Sequence, residues 1–175
     1  MAIAHYPYLL SSLPMLHFGS RPPITMEAFM RTCRELVPQG DLAILEAALS
    51  GDIHLYSGSQ DTLKRYASAE RDLRNELVRL RSVRKKQDPA LYLRPGGGFD
   101  TAIHIAATNA VRNPYPLDGE KALDLARWNA LDTLEMGHFF DIDALIIYAI
   151  RLSILTRWER IRRADKRKEL ESALA

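Results

Sequence analysis

The chain has 175 residues, 47% of them apolar and 26% charged, with 9 Gly, 9 Pro and one Cys. That balance excludes collagen-like, disordered and disulfide-stapled classes, and a chain of this length can build a core without a metal or disulfide staple. The net charge of +2 hides a segregation: Asp61 to Lys86 holds nine Lys/Arg against four Asp/Glu and Arg151 to Ala175 holds eight against four, leaving the remainder negative.

The first fifteen residues are interrupted by Pro7 and Pro14 and lack a positively charged region ahead of an apolar run, so no signal peptide is expected. No period-two alternation occurs beyond them. Thr25 to Leu36 reads as a helix with Met26, Phe29, Met30 and Cys33 on one face, which makes Cys33 a packed small hydrophobe rather than a nucleophile. A short helix from about Asp41 to Leu49 is expected next, with Asp41 as its N-cap. After Gly51 and a turn at Ser57–Ser59, the pattern predicts a long helix from Asp61 to Lys86, stopped by Asp88–Pro89. Leu63, Tyr66, Leu73, Leu77 and Leu80 form its apolar stripe, with Arg and Lys on the other faces. At roughly 39 Å it would be one arm of an extended antiparallel hairpin or bundle.

Gly96, Gly97 and Gly98 predict a flexible joint between an N-terminal lobe, 1–94, and a C-terminal lobe, 99–175, which either stand apart or pack as one domain. Phe99 to Val111 reads as a helix ended by Asn113–Pro116. Asp118 is expected to cap a helix running to Met136, with Leu123, Ala126, Arg127, Ala130, Leu131 and Leu134 as its stripe and Gly137 as a left-handed terminator. Trp128, three residues from both Leu125 and Leu131, is expected to pack on the last helix, with Trp158 against the same core. Asp141 caps that helix, whose Ile142, Leu145, Ile146, Ala149, Leu152 and Ser153 form a buried face before the sequence turns basic at Arg157. The expected fold class is all-α, an elongated hairpin or bundle.

Chemical motifs are scarce. The glycine run lacks the Lys-Ser/Thr ending of a phosphate loop, and Ser11–Ser12 has no glycine-flanked elbow. The histidines at 5, 17, 54, 104 and 138 lie in different elements, and Glu135 with His138 has no second Glu-x-x-His to complete a di-iron site. The residues therefore lead to no catalytic activity, cofactor or metal. Arg79, Arg81, Arg84, Lys85 and Lys86, with Arg157, Arg160, Arg162, Arg163, Lys166, Arg167 and Lys168, could neutralise phosphates. The interleaved Glu70, Asp72, Glu76, Glu159 and Asp165 and the lack of alternating aromatics argue against a nucleic acid, and a solvated helix face accounts for the charge segregation equally well. Cations at helix C-termini also complement the helix dipole without any partner.

The Tyr6–Gly19 opening with Pro7, Leu13, Pro14 and Phe18, then Pro22–Thr25 and a helix bearing Phe29 and Cys33, resembles a bacterial family of unassigned role encoded among V-type ATPase subunits. The block from Arg127–Trp128 through Phe139–Asp143, Tyr148 and Leu152 to Arg157–Trp158 fits it as well. Leu73–Arg81 is similar to helical segments of the V-type ATPase component that couples the central stalk to the membrane ring, known as C in bacteria and d in eukaryotes. The resemblance implies an all-helical, non-enzymatic accessory of a V-type ATPase or ATP synthase, acting as stalk component, adaptor or assembly factor. The chain is too short for the complete three-lobed coupling component. The expected partner surface joins Arg79, Arg81, Arg84, Lys85 and Lys86 to Arg157, Arg160, Arg163 and Lys166. Such a protein would be cytoplasmic, reaching the inner face of the plasma membrane only through its partners. A helical nucleic-acid-binding regulator using the same basic regions is the alternative.

Overall fold

The computed structural model describes residues 6–174 apart from Gly97 and Phe99, with side chains through Arg167. The described residues are all-α: seven α-helices and two 3-10 turns, with no strand among them. No helix among them is long and apolar enough to cross a membrane. They form two compact units, one taking in the residues up to Leu49 and those from Gly137 onward, the other Ser50–Met136.

The first unit contains α1 (Pro7–Ser12), α2 (Met26–Leu36), α3 (Gln39–Ala48) and α7 (Ile142–Leu174). Thr25 caps α2 by accepting from the Ala28 amide at 3.1 Å, and Phe29, Met30 and Cys33 turn inward as their spacing predicts. Helix α3 begins at Gln39, earlier than expected, with Pro38 in the N-cap position. Asp41 lies in its first turn instead, where its carboxylate accepts from the Tyr6 hydroxyl and still faces the positive end of the helix dipole. Asp141 does cap α7, accepting from the Ala144 amide at 3.0 Å, and Gly137 has φ +90° as expected.

Helix α7 departs from the one-faced reading. Leu145, Ile146, Ile147, Ala149, Leu152 and Leu155 are all fully buried, so its first turns are enclosed around most of their circumference, while Ile142 and Ser153 are only half-buried. The cause is tertiary: α2 and α3 both pack on it, and the chain ahead of α2 is strapped to it. The Tyr148 hydroxyl donates to the Pro14 carbonyl at 3.0 Å, and Arg162 donates to the Ser20 carbonyl at 3.2 Å.

The second unit contains α4 (Asp61–Lys85), α5 (Thr101–Arg112) and α6 (Pro116–Glu135), preceded by a 3-10 turn at Ile53–Leu55. The division therefore differs from one at the glycine run, because α4 and α5 share a core: Leu73, Leu77, Ala107 and Leu123 form one cluster, with Leu80, Ile103, Ala110 and Val111 against it. Helix α4 matches the expected span to within a residue and is closed by Lys86, left-handed at φ 55°; Asp88, expected to stop it, instead caps the 3-10 turn Pro89–Leu91. The connection onward is anchored. Asn75, buried on α4, donates to the Arg94 carbonyl at 3.0 Å and accepts from the Arg94 amide at 2.9 Å. The centre of the expected joint, Gly97, and the expected helix start at Phe99 lie outside the described residues.

Helix α5 is capped by Asp100, which accepts from the Ala102 and Ile103 amides at 2.7 and 3.2 Å. Helix α6 begins at Pro116 rather than being capped by Asp118, because a proline at the first helical position loses no hydrogen bond. Its buried line is Leu123, Asp124, Trp128, Leu131 and Leu134. Leu125, expected beside Trp128, is 42% exposed.

Candidate partner-binding surface

A charged seam runs through the second unit. Glu70 of α4 is 5% exposed and Asp124 of α6 only 1% exposed, so both carboxylates need cations to be buried at tolerable cost. Arg127 supplies the first, donating from Nε to Glu70 at 2.8 Å, from Nη2 to Glu70 at 3.1 Å and from Nη1 to Asp124 at 2.7 Å. Arg74 adds a bond to Glu70 at 2.9 Å. Burial opposes ionisation of Glu70, but the bonds from Arg127 and Arg74 outweigh it and hold the carboxyl below its ordinary range. Arg127, assigned by its spacing to an apolar stripe, is thus the tie between α6 and α4. A single helix's periodicity cannot show which facing carboxylate awaits it.

A second tie joins α4 to α5. Glu76, also buried, accepts from His104 Nδ1 at 2.6 Å and from Arg79 Nη1 at 2.8 Å. Desolvation pushes the Glu76 carboxyl upward, and the bonds from His104 and Arg79 bring it below its usual value. Arg79, expected at the partner surface, is therefore partly committed to the fold.

Past these ties the stripe of α4 changes character. Leu73 and Leu77 are buried, and the residues that follow on that side, Arg81, Arg84 and Lys85, are exposed. None of the three has an acidic partner among the described residues. Lys86 is exposed at the left-handed cap. Arg81, Arg84 and Lys85 rim a groove of about 630 Å³ whose floor includes Leu77, Val111 and Leu123. The groove exists because α5 and α6 turn back on each other closely at its edge. A Cβ on Gly119 would sit 2.7 Å from the Ala110 carbonyl oxygen, so only glycine permits this approach.

The basic residues of α7, in the other unit, are used differently. Glu159 is a hub, accepting from Arg162 at 3.2 Å and Arg163 at 3.0 Å, with Arg21 at 4.0 Å. Arg157 lies 6.0 Å from the Trp158 ring centroid, a cation–π contact. Arg160 and Lys166 are exposed, without an ion pair among the described residues; Lys168 lies beyond the described side chains.

Elsewhere, Cys33 is fully buried and its burial pushes the thiol up to about 11, keeping it protonated. His138 turns to the residue three places after it: its Nδ1 is 2.7 Å from Asp141 and 3.8 Å from Asp143. The three ligand atoms lie within 4.8 Å of one another. Asp141 already uses one oxygen on His138 and the other on the Ala144 amide, so the cluster serves the start of α7.

Residues 108–171, covering the end of α5, all of α6 and most of α7, are similar to a domain family described as a protein of unknown function (DUF2764). No curated protein and no solved structure matches the chain.

Proposed function

We propose that the chain is a non-catalytic helical accessory of a bacterial V-type ATPase or ATP synthase, docking on its subunits as stalk component, adaptor or assembly factor. The observation that carries the docking is the end of α4: Arg81, Arg84 and Lys85 are exposed and without an acidic partner among the described residues, one turn beyond a leucine committed to the core. Such cations steer an acidic protein surface and set its register. The nature of the partner rests on the likeness of the Tyr6–Gly19 and Arg127–Trp158 segments to proteins encoded beside V-type ATPase subunits. Arg160 and Lys166 of α7 serve as a second contact.

Co-purification of the tagged chain from its native cell at moderate salt, in parallel with and without nuclease treatment, tests this reading. V-type ATPase subunits should be recovered, and reversal of Arg81, Arg84 and Lys85 to Glu should deplete them while the helical circular dichroism is unchanged. Arg79 is left intact because it pairs with buried Glu76. Recovery of ribosomal or DNA fragments that disappear on nuclease treatment would overturn it in favour of a nucleic-acid regulator.

A further inference from the structure

We propose that the groove at the end of α4 receives an acidic amphipathic helix of a protein partner, with aliphatic side chains on Leu77, Val111 and Leu123 and carboxylates along Arg81, Arg84 and Lys85. The inference deepens the docking reading above and rests on it for the identity of the partner, but not for the chemistry of the occupant.

Three features select that occupant. At about 630 Å³ the groove is far larger than a bound ion requires, since a water takes about 30 Å³. Sites for small molecules fix their ligand with a few converging, well-held polar groups; here the charged rim consists of long exposed side chains and the floor is aliphatic. That combination suits a side-chain stripe from a larger partner. A nucleic acid would satisfy the cations but leave the aliphatic floor wet, because phosphates and sugars offer no apolar stripe, and no aromatic platform stands among the lining residues.

Helical conformation follows from the walls. The groove is bounded by α4 and by the corner where α5 meets α6, so it has no strand edge to extend, and recognition falls to an amphipathic helix laid in an apolar channel. The charge is one-sided. All three cations stand on α4, whereas the α6 side presents Glu120. The acidic residues of the partner helix therefore form one stripe flanking its aliphatic anchors, on the side that faces α4, rather than surrounding them.

A photo-crosslinking amino acid (p-benzoylphenylalanine) placed at Pro116, an exposed lining residue, tests this in the full-length chain, with the same probe at Arg160 on α7 for comparison. Extracts of the native cell are irradiated and the adducts sequenced by mass spectrometry. The expected adduct at 116 is a peptide with aliphatic residues at i, i+3 or i+4, and i+7 beside Asp or Glu, its yield falling about tenfold when Arg84→Glu and Lys85→Glu are added. A neutral or basic peptide, a nucleic-acid adduct, or a yield indifferent to charge reversal would overturn the proposal. Labelling of V-type subunits from 160 with none from 116 would also overturn it while leaving the docking reading standing. An acidic amphipathic peptide from an unrelated protein would do the reverse. No adduct from either position would sink both.

Discussion

Arg127 reaches from α6 to Glu70, fifty-seven positions earlier in the chain, and closes two hydrogen bonds of 2.8 and 3.1 Å on a carboxylate that water barely touches. The same guanidinium holds Asp124, so one side chain neutralises two buried acids. Removing it leaves both without that partner. Arg127→Met should therefore cost about 3–5 kcal/mol, read by urea unfolding at neutral pH. A loss below about 1 kcal/mol would mean that water or Arg74 replaces it readily.

Acid should weaken the second unit through the same group. Because folding lowers the Glu70 value, the ionised pair contributes stability above the unfolded carboxylate range, near 4.3, and that contribution disappears as pH falls through the lower folded value. Glu76 shifts in the same direction and adds to the effect. Wild-type thermal midpoints should drop steeply below about pH 4, and Glu70→Gln should be less stable at neutral pH but flatter in acid. Parallel curves for the two proteins would assign the acid limb to other carboxylates.

Gly119 and Gly40 should respond to alanine with opposite signs. A Cβ at 119 meets the Ala110 carbonyl oxygen at 2.7 Å, whereas one at 40, in the first turn of α3, meets nothing within 4 Å. Gly119→Ala should cost about 1–3 kcal/mol through overpacking, and Gly40→Ala should stabilise by about 0.4–1 kcal/mol by restricting the unfolded chain. Equal shifts in calorimetry would contradict the close approach of α5 and α6.

Trp128 is 7% exposed although its expected companion Leu125 is not buried. Trp128→Ala should lower stability by about 3–5 kcal/mol. An unchanged thermal midpoint would show that its ring fills no essential space.

Chymotrypsin should report the anchoring of the segment after α4. Leu91 and Tyr92 are exposed, but the backbone two residues later is held by Asn75. Cleavage after Tyr92 should be slow in the wild-type chain and several-fold faster in Asn75→Ala, since nicking requires the local backbone to open. Equal rates would mean that the clamp does not govern that opening.

Local features were legible in the sequence because they depend on neighbours a few residues apart. Asp141 as a cap, Gly137 as a left-handed terminator, the inward face of α2 and the apolar stripe of α4 all follow from backbone sterics and a repeat near 3.6 residues. The clustering of positive charge at the end of α4 was visible too. What the periodicity could not supply was partnership across the chain: that Arg127 belongs to Glu70, that His104 is tied to Glu76, that Asp41 answers Tyr6, and that α7 is enclosed on most sides. Most of these are contacts between segments far apart in sequence, whose loop-closure entropy is recovered only when both surfaces lose water together. The division into units follows from the same cause, since the burial of Leu73, Leu77, Ala107 and Leu123 in one cluster places both sides of the glycine run in one core.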